Sequence, residues 1–266
     1  MHKSFLPRPL AVAALALAAG AASTSAGAAD LNVTVTIQNL APTNSVAFAP
    51  THLGFHSGSF DAFNLGQAAG DGIVSVAEAA AGVAWQADFA AADPTASRGT
   101  IDGALLVGQS KTATFRVDST LNPYFTFAAM VIPSNDFFIG NDSPTRFRLF
   151  DNAGNLALTS ITQTARQVWD AGSEVFDPAA AAFVGDIGQR TPQGSVVAFN
   201  FAELAALNGL TTGAGYTFNS QLAADTEIYR VSFSAAPVPE PESYALMVAG
   251  LGALGLLMRR RQARQA

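Results

Sequence analysis

The sequence predicts an all-β fold, an antiparallel β-sandwich with one or two short helices. Short runs in which apolar and polar residues alternate, such as Leu31 to Gln38 and Lys111 to Asp118, are typical of half-buried strands. A nearly continuous apolar run from Tyr124 to Ile132 predicts a strand buried on both faces. Clusters of Gly, Pro, Asn and Asp divide these runs, and many short strands separated by turns indicate a sandwich.

The first half of the chain begins with the alternating strand at 31–38, whose Thr and Val content favours extended backbone. Pro, Gly and Ser interrupt residues 41–66, which predicts an ordered loop or a set of short strands. Residues 67–82 have the clearest helical spacing, and Asp71 is placed to cap that helix. The aromatic residues of the next stretch, 83–92, are expected in the core.

The second half centres on Val131 to Asp142, which follows the buried strand and predicts a polar loop at the edge of the core. Two strand-like runs, 145–150 and 156–162, flank an Asn/Gly-rich turn and predict a β-hairpin. The remaining predicted elements are strands at 195–201 and 227–233 and a short helix at 202–207.

Charge and cysteine content exclude several classes of function. Residues 30–238 hold 18 acidic and 8 basic side chains, a net charge of −10, so nucleic acid and anionic membranes are poor partners. The chain has no cysteine, which removes disulfides, thiol nucleophiles and zinc–thiolate sites.

Residues 1–29 have the three-part layout of a secretory signal peptide. Basic residues come first, an Ala/Leu-rich run follows, and small residues place the cleavage after Ala28 or Ala29. The alternative is a buried N-terminal helix, but the run is short and ends in small residues. We therefore expect an exported domain at 30–236.

Residues 237–266 form a tail of different composition. Three prolines make a stiff spacer, and the mostly apolar residues 244–258 predict a short transmembrane segment. As a helix this segment is about 22 Å long, short of the roughly 30 Å hydrocarbon thickness, so it spans a membrane only marginally. The arginines at 259–261 would stay in the cytoplasm, which places the domain outside it.

The tail resembles the PEP-CTERM sorting signal of Gram-negative bacteria. Pro239, Glu240 and Pro241 match the namesake motif, and the short span and the arginine cluster follow it. The resemblance implies cleavage by an exosortase, a membrane protease, after transient anchoring in the inner membrane. It also implies association with the cell surface or extracellular polysaccharide. The alternative is a permanent C-terminal anchor.

Three acidic residues are candidate ligands for a hard cation such as calcium, which prefers carboxylate and carbonyl oxygens. Asp136 follows the buried strand, while Asp170 and Glu174 flank Gly172, where the backbone can turn sharply enough for both carboxylates to face one ion. The alternative is a solvated acidic loop, which composition alone favours.

The segments that contain these acids resemble spondin N-terminal domains. Residues 133–140 are similar to the family's Pro-Ser-Pro-Asp-Trp-Phe-Val-Gly segment, and residues 170–174 resemble its Asp-Ala-Gly-Thr-Asp segment. Residues 51–82 resemble the family's first half. The resemblance implies a calcium site with Asp136, Asp170 and Glu174 as ligands.

The chain departs from the family pattern in three respects. Glu174 replaces an Asp and adds a methylene, so its coordination would be altered or pass through water. Phe137 stands where animal members have Trp, and their disulfide cysteines are missing. The adhesion partners of animal members therefore do not transfer.

Two other sites are weaker. His52 and His56 have a zinc-like spacing, but glycines and serines surround them and no Glu follows His52, so a structural role is favoured. A hydrolase would need a nucleophile elbow, which the sequence lacks, or Asp136 and Asp170 acting as a glycosidase pair.

The function predicted from the sequence is an exported, non-enzymatic, calcium-binding surface or extracellular-matrix protein. Its expected partners are the exosortase and either extracellular polysaccharide or a surface protein. One alternative is a carbohydrate-binding module, which requires exposed aromatic residues, first of all Phe137 and Trp169. The other is a secreted hydrolase, which requires a cleft with a positioned base.

Overall fold

The computed structural model describes residues 30–238, 248–252, 255 and 262–263. Two antiparallel sheets and two short helices make up the fold, as the sequence predicts. The strands are β1 (Asp30–Asn39), β2 (Ala47–Phe48), β3 (Thr51–His56), β4 (Ser97–Ile101), β5 (Ser110–Asp118), β6 (Tyr124–Ile132), β7 (Phe137–Gly140), β8 (Ser160–Thr164), β9 (Trp169–Asp170), β10 (Ala198–Phe199) and β11 (Glu227–Pro237). The helices are α1 (Asp71–Ala79) and α2 (Val83–Ala92).

The first sheet has the strand order β5-β1-β11-β8. Its central strand β1 buries Val33, Val35 and Ile37 against the core, which confirms the alternation in the sequence. On its other face, Thr34 and Thr36 hydrogen-bond to threonines of β5. Because β11 pairs with β1 along most of its length, the first and last strands of the sandwich lie side by side.

The second sheet has the order β10-β9-β7-β6-β3-β4, and β2 also pairs with β6. One face of β6 packs against the first sheet through Phe125 and Phe127. Ala128, on its other face, packs in the cluster that contains Val76 of α1 and Trp85 of α2. Since both faces of β6 are covered, the strand needs apolar residues throughout, and this explains the continuous run in the sequence.

The predicted helix is shorter than expected. It spans α1, and its N-cap is Gly70, with no side-chain capping bond, so the prediction that Asp71 caps the helix is wrong. Asp71 instead lies in the first turn, where a carboxylate favours the positive end of the helix dipole. The next stretch forms the second helix, α2, which buries Trp85 and Phe89 as expected.

The stretch 131–142 is not simply a loop, because β7 lies within it and pairs with β6 as a hairpin. The predicted hairpin at 145–162 is reduced to one bridge, between Phe150 and Leu156, followed by β8. The predicted strand at 195–201 is limited to β10. A 3₁₀ helix spans Phe201–Leu207, close to the predicted short helix.

The predicted signal peptide, the motif at 239–241 and most of the segment 244–258 lie outside the described residues. Within the described part of the chain, every helix is too short or too polar to cross a membrane.

Candidate metal site

The β7–β9 pairing brings two of the predicted ligands together. Asp136 is the last residue before β7, and Asp170 is the second residue of β9. The register pairs Phe137 with Asp170, so the two aspartates come from adjacent positions on neighbouring strands. The buried hairpin thus positions Asp136, and the short strand β9 positions Asp170.

The turn after β9 wraps around the Asp136 carboxylate. Asp136 is only 1% exposed, and its Oδ2 atom accepts hydrogen bonds from the Ser173 amide at 2.8 Å and the Glu174 amide at 3.0 Å. The Ser173 hydroxyl donates a third bond at 3.2 Å. All three hydrogen bonds end on the same carboxylate oxygen. The other oxygen, Asp136 Oδ1, accepts no hydrogen bond from a protein donor among the described residues.

This turn requires glycine at position 172. Gly172 has φ +68°, and a Cβ atom there would lie 2.7 Å from the carbonyl oxygen of Val196. The Gly172 amide donates to Asp170 Oδ1 at 2.7 Å. The predicted sharp turn is therefore present, and its backbone amides organise both aspartate carboxylates.

The two aspartates carry negative charge that the site does not neutralise. Burial, and then the charge of Asp170, raise the pKa of Asp136 to about 6 despite its hydrogen bonds. Burial also raises the pKa of Asp170, and the nearby charge of Glu203 adds to this shift. The carboxyl groups of Asp136 and Asp170 are close enough for each to influence the ionisation of the other.

Asn200 and Glu203 are site residues that the sequence reasoning missed. Both side chains act on the ionisation of Asp170, because Glu203 raises the pKa of Asp170 through its charge and the polar side chain of Asn200 lowers it. The buried Oε2 atom of Glu203 has no hydrogen-bond donor among the described residues. Neither residue lies in a recognisable motif. Both come to the site with the 3₁₀ helix, which is far from Asp136 and Asp170 in the sequence, so sequence reasoning could not find them.

Glu174 lies next to the pair, but its carboxylate has another partner. Glu174 is 6% exposed, and its Oε2 atom lies 3.1 Å from Arg190 Nε. Burial raises the pKa of Glu174 to about 7, Arg190 opposes this shift, and the charges of Glu78 and Asp136 add to it. The structure therefore brings Asp136 and Asp170 together, whereas Glu174 contributes its amide to Asp136 and its carboxylate to Arg190.

The three predicted ligands fit a calcium ion only in part. Among the described residues, no group of three or more His, Cys, Asp or Glu side chains is already arranged around one point. The Asp136–Asp170 pair does fit a hard cation, because its carboxylates are buried together and Glu203 nearby has an unpaired oxygen. Glu174 fits only if its carboxylate leaves Arg190.

The two histidines have structural partners. His52 hydrogen-bonds through Nδ1 to Thr100 and through Nε2 to the Ala80 carbonyl, and His56 Nε2 bonds to Thr126. Burial lowers the pKa of His56 to about 4, so it is neutral at physiological pH. This arrangement agrees with the structural role favoured from the sequence.

The exposure of Phe137 and Trp169 that the alternative carbohydrate-binding module requires is not found. Phe137 is 1% exposed and Trp169 is 4% exposed, because β7 and β9 are internal strands of the second sheet. Phe199 of the edge strand β10 is exposed instead, with 45% of its surface accessible, and it stacks on Trp169.

Comparison with known families identifies both parts of the chain. The Spondin_N family matches residues 39–175, just over half of the chain, and this chain belongs to that family. The matched region includes Asp136, Asp170 and Glu174. Residues 237–262 match the PEP-CTERM protein-sorting motif, which implies processing by an exosortase and supports export to the cell surface. No curated protein matches this chain.

Proposed function

We propose that this protein is an exported, non-enzymatic surface or extracellular-matrix protein whose fold is stabilised by calcium. The observation that carries the proposal is the Asp136–Asp170 pair, two neighbouring carboxyl groups whose pKa values are both raised by burial. Buried charges normally require a partner of opposite sign. A divalent cation would supply it where the described residues place no basic side chain.

The free carboxylate oxygens support binding at this pair. Asp136 Oδ1 and Asp170 Oδ2 accept no hydrogen bond from a protein donor among the described residues. The other oxygen of each carboxylate, Asp136 Oδ2 and Asp170 Oδ1, accepts hydrogen bonds from the turn. Calcium needs six to eight oxygens, so water, backbone carbonyls and the nearby Asn200 and Glu203 side chains would complete the shell. When bound, calcium would neutralise the pair and tie β7, β9 and the 3₁₀ helix to one another.

Glu174 is proposed as a third ligand that acts indirectly. Its carboxylate contacts Arg190, and an ion pair of this kind holds the side chain in place when it is buried. Glu174 would therefore join the calcium site only by exchanging Arg190 for the ion or for a water molecule bound to it. This arrangement agrees with the extra methylene that distinguishes Glu174 from the family's Asp.

A non-enzymatic role is supported by how the titratable groups are used. Glycosidase carboxylates must flank a substrate, whereas Asp136 is 1% exposed and one of its oxygens accepts three hydrogen bonds from the turn. His52 and His56 are buried and hydrogen-bonded to threonines. A rigid sandwich that presents surfaces to polysaccharide or protein partners suits these features better than a hydrolase.

Calorimetric titration of the EDTA-stripped protein with calcium tests the proposal. We expect saturable binding of one ion per chain in the wild type and at least tenfold weaker binding in Asp170→Ala, since one ligand and half of the negative charge are lost. Asp88→Ala is the matched control, because it removes an exposed aspartate from α2. Absence of binding in the wild type, or undiminished binding in Asp170→Ala, would contradict the proposal.

A further inference from the structure

A cleft of about 370 Å³ opens beside the candidate metal site, where the ends of β7, β8 and β9 meet β10. Its volume is within the range of small-molecule sites, roughly 300 to 1,000 Å³. The side chains that matter for its chemistry are Asp142, Arg146, Arg166, Gln167, Trp169 and Phe199. Trp169 precedes Asp170 in β9, so the cleft and the aspartate pair share one short strand.

One wall of the cleft is a fixed aromatic platform. Phe199 pairs with Trp169 across β9 and β10, and their rings stack with centroids 4.0 Å apart. Phe63 supports Trp169 from behind in an edge-to-face contact at 5.0 Å. Because Trp169 is buried and Phe199 is 45% exposed, the platform is rigid but presents apolar ring surface to a ligand.

The rest of the cleft offers donors and acceptors. Arg146 is exposed, contacts the Phe147 ring at 5.8 Å and forms no ion pair within the described chain. Arg166 pairs with Asp225 at 3.2 Å, but both side chains are largely exposed, so solvent screens this contact. Asp142 adds carboxylate oxygens at the same cleft, and Gln167, whose Oε1 atom accepts from the Thr164 amide, adds its side-chain N–H groups.

The indole nitrogen of Trp169 lies inside the protein, beneath the surface of the platform. The Trp169 indole N–H has no acceptor among the described residues, although the ring is buried. Buried N–H groups without an acceptor are rare in proteins. Because this N–H is enclosed by protein, the donors that the cleft offers to a ligand are the guanidinium groups of Arg146 and Arg166.

We infer that this cleft binds a saccharide that carries a carboxylate, such as a uronate residue of a polysaccharide. A sugar ring has a flat apolar face for Phe199 and hydroxyl groups for Asp142 and Gln167. Its carboxylate matches the fork of a guanidinium, which favours Arg146 as the charged contact.

This inference rests on the proposed surface role, but it does not require calcium. None of the cleft residues named above belongs to the aspartate pair, and the platform is held by aromatic packing. A failure of calcium binding would therefore leave the cleft intact, and the two proposals can fail separately.

Calorimetry in EDTA with trisaccharides of galacturonate, mannuronate and guluronate tests the inference. We expect at least one of them to bind with a Kd of about 1 mM or below, and its methyl-esterified form to bind at least tenfold more weakly because the carboxylates are masked. Binding by none of the three, or equal binding of the ester, would overturn the inference.

Two variants and one control locate the binding. Phe199→Ala removes the platform and Arg146→Ala removes the charged contact, so each should weaken binding at least tenfold while the melting temperature stays close to that of the wild type. Arg98→Ala removes the same charge from β4, at the opposite edge of the sheet, and should bind as the wild type does. If Phe199→Ala and Arg146→Ala both bind like Arg98→Ala, the ligand is elsewhere and the inference is wrong.

Discussion

Two buried aspartates show how local contacts decide the ionisation of a carboxyl group. Asp93 accepts five hydrogen bonds from Ser57, Ser59 and Thr95, and these bonds hold its pKa well below the usual range although burial opposes them. Asp136 accepts three hydrogen bonds, yet its pKa is raised to about 6 because burial and the charge of Asp170 prevail. Asp93 is therefore a satisfied structural anion, whereas Asp136 holds its proton more tightly than an ordinary aspartic acid does.

Neutralising these two aspartates should have opposite effects on stability. In EDTA at pH 7.5, we expect Asp136→Asn to raise the melting temperature by about 2–4 °C, since it relieves repulsion of the order of 1 kcal/mol. Asp93→Asn should lower the melting temperature by about 4–8 °C, since it weakens charged hydrogen bonds worth about 2 kcal/mol. Differential scanning calorimetry measures both values.

The melting temperatures of Asp93→Asn and Asp136→Asn can also be compared in the presence of calcium. Asp93→Asn should keep the stabilisation by calcium that we propose for the wild type, and Asp136→Asn should lose most of it. If Asp136→Asn destabilises the EDTA-treated protein as much as Asp93→Asn does, then Asp136 is an ordinary structural residue.

At the residue scale, the sequence could predict the two aspartates but not their surroundings. Asp136 and Asp170 lie in segments that resemble a known family, and the fold brings them together. Arg190 and Glu203 could not be predicted, because long-range packing places them. Glu203 reaches the site only because Leu204 and Leu207 fix its 3₁₀ helix in the core.

At the element scale, the hairpin β6–β7 shows why a buried turn can have the sequence pattern of a surface loop. Ser134, Asn135 and Asp136 are polar, and in most sequences three such residues after a proline lie at the surface. Here all three are buried. The Ser134 hydroxyl donates to the Val131 carbonyl and accepts from the Phe137 amide, whereas Asn135 accepts from the Asp177 amide but has no acceptor for its own N–H groups among the described residues. Sequence patterns predict solvent exposure from polarity, and they miss polar groups that packing encloses in a turn.

The turn around Gly172 can be tested against a glycine of similar backbone conformation. Gly108 has φ +77°, and no atom lies within 4 Å of the place that a Cβ would occupy, so Gly108→Ala should cost only the left-handed backbone strain, about 1–2 kcal/mol. Gly172→Ala adds a clash with the Val196 carbonyl and should cost at least about 1 kcal/mol more. Urea unfolding measures the difference.

The same two glycine variants distinguish an effect on the calcium site from a general loss of stability. Gly172→Ala should also weaken calcium binding, because the turn holds both aspartates through its amides, while Gly108→Ala should leave binding unchanged. Equal unfolding losses and equal calcium affinities for the two variants would show that the turn does not organise the site.

At the scale of the whole molecule, the sandwich is predictable because most strands follow simple rules. The alternation in β1 and the apolar run in β6 both follow from which faces are covered. The two-residue strand β9 is not predictable, since two residues carry no periodicity, and β10 is only a short part of the strand predicted at 195–201. These short strands nevertheless carry Asp170 and Phe199, so the candidate functional region lies where sequence patterns are weakest.

The ionisation of several groups sets how stability depends on pH. Asp136 and Glu174 have raised pKa values, so the folded state holds their protons more tightly than the unfolded state, and their contribution to stability is lost as pH rises from about 4 to about 7. His52 and His56 have lowered pKa values, so they contribute in the opposite sense over a similar range. The stability of the calcium-free protein as a function of pH therefore combines the contributions of the carboxyl groups and of the histidines.

The difference in melting temperature between calcium and EDTA, measured from pH 4.5 to pH 8, isolates the aspartate pair because the histidines contribute equally to both arms. We predict that stabilisation by calcium is small at pH 4.5, rises with a midpoint near pH 6 as Asp136 loses its proton, and is largely abolished in Asp170→Ala. No stabilisation by calcium at pH 7.5, or a stabilisation that stays constant across this range, would contradict the proposal that calcium binds this pair.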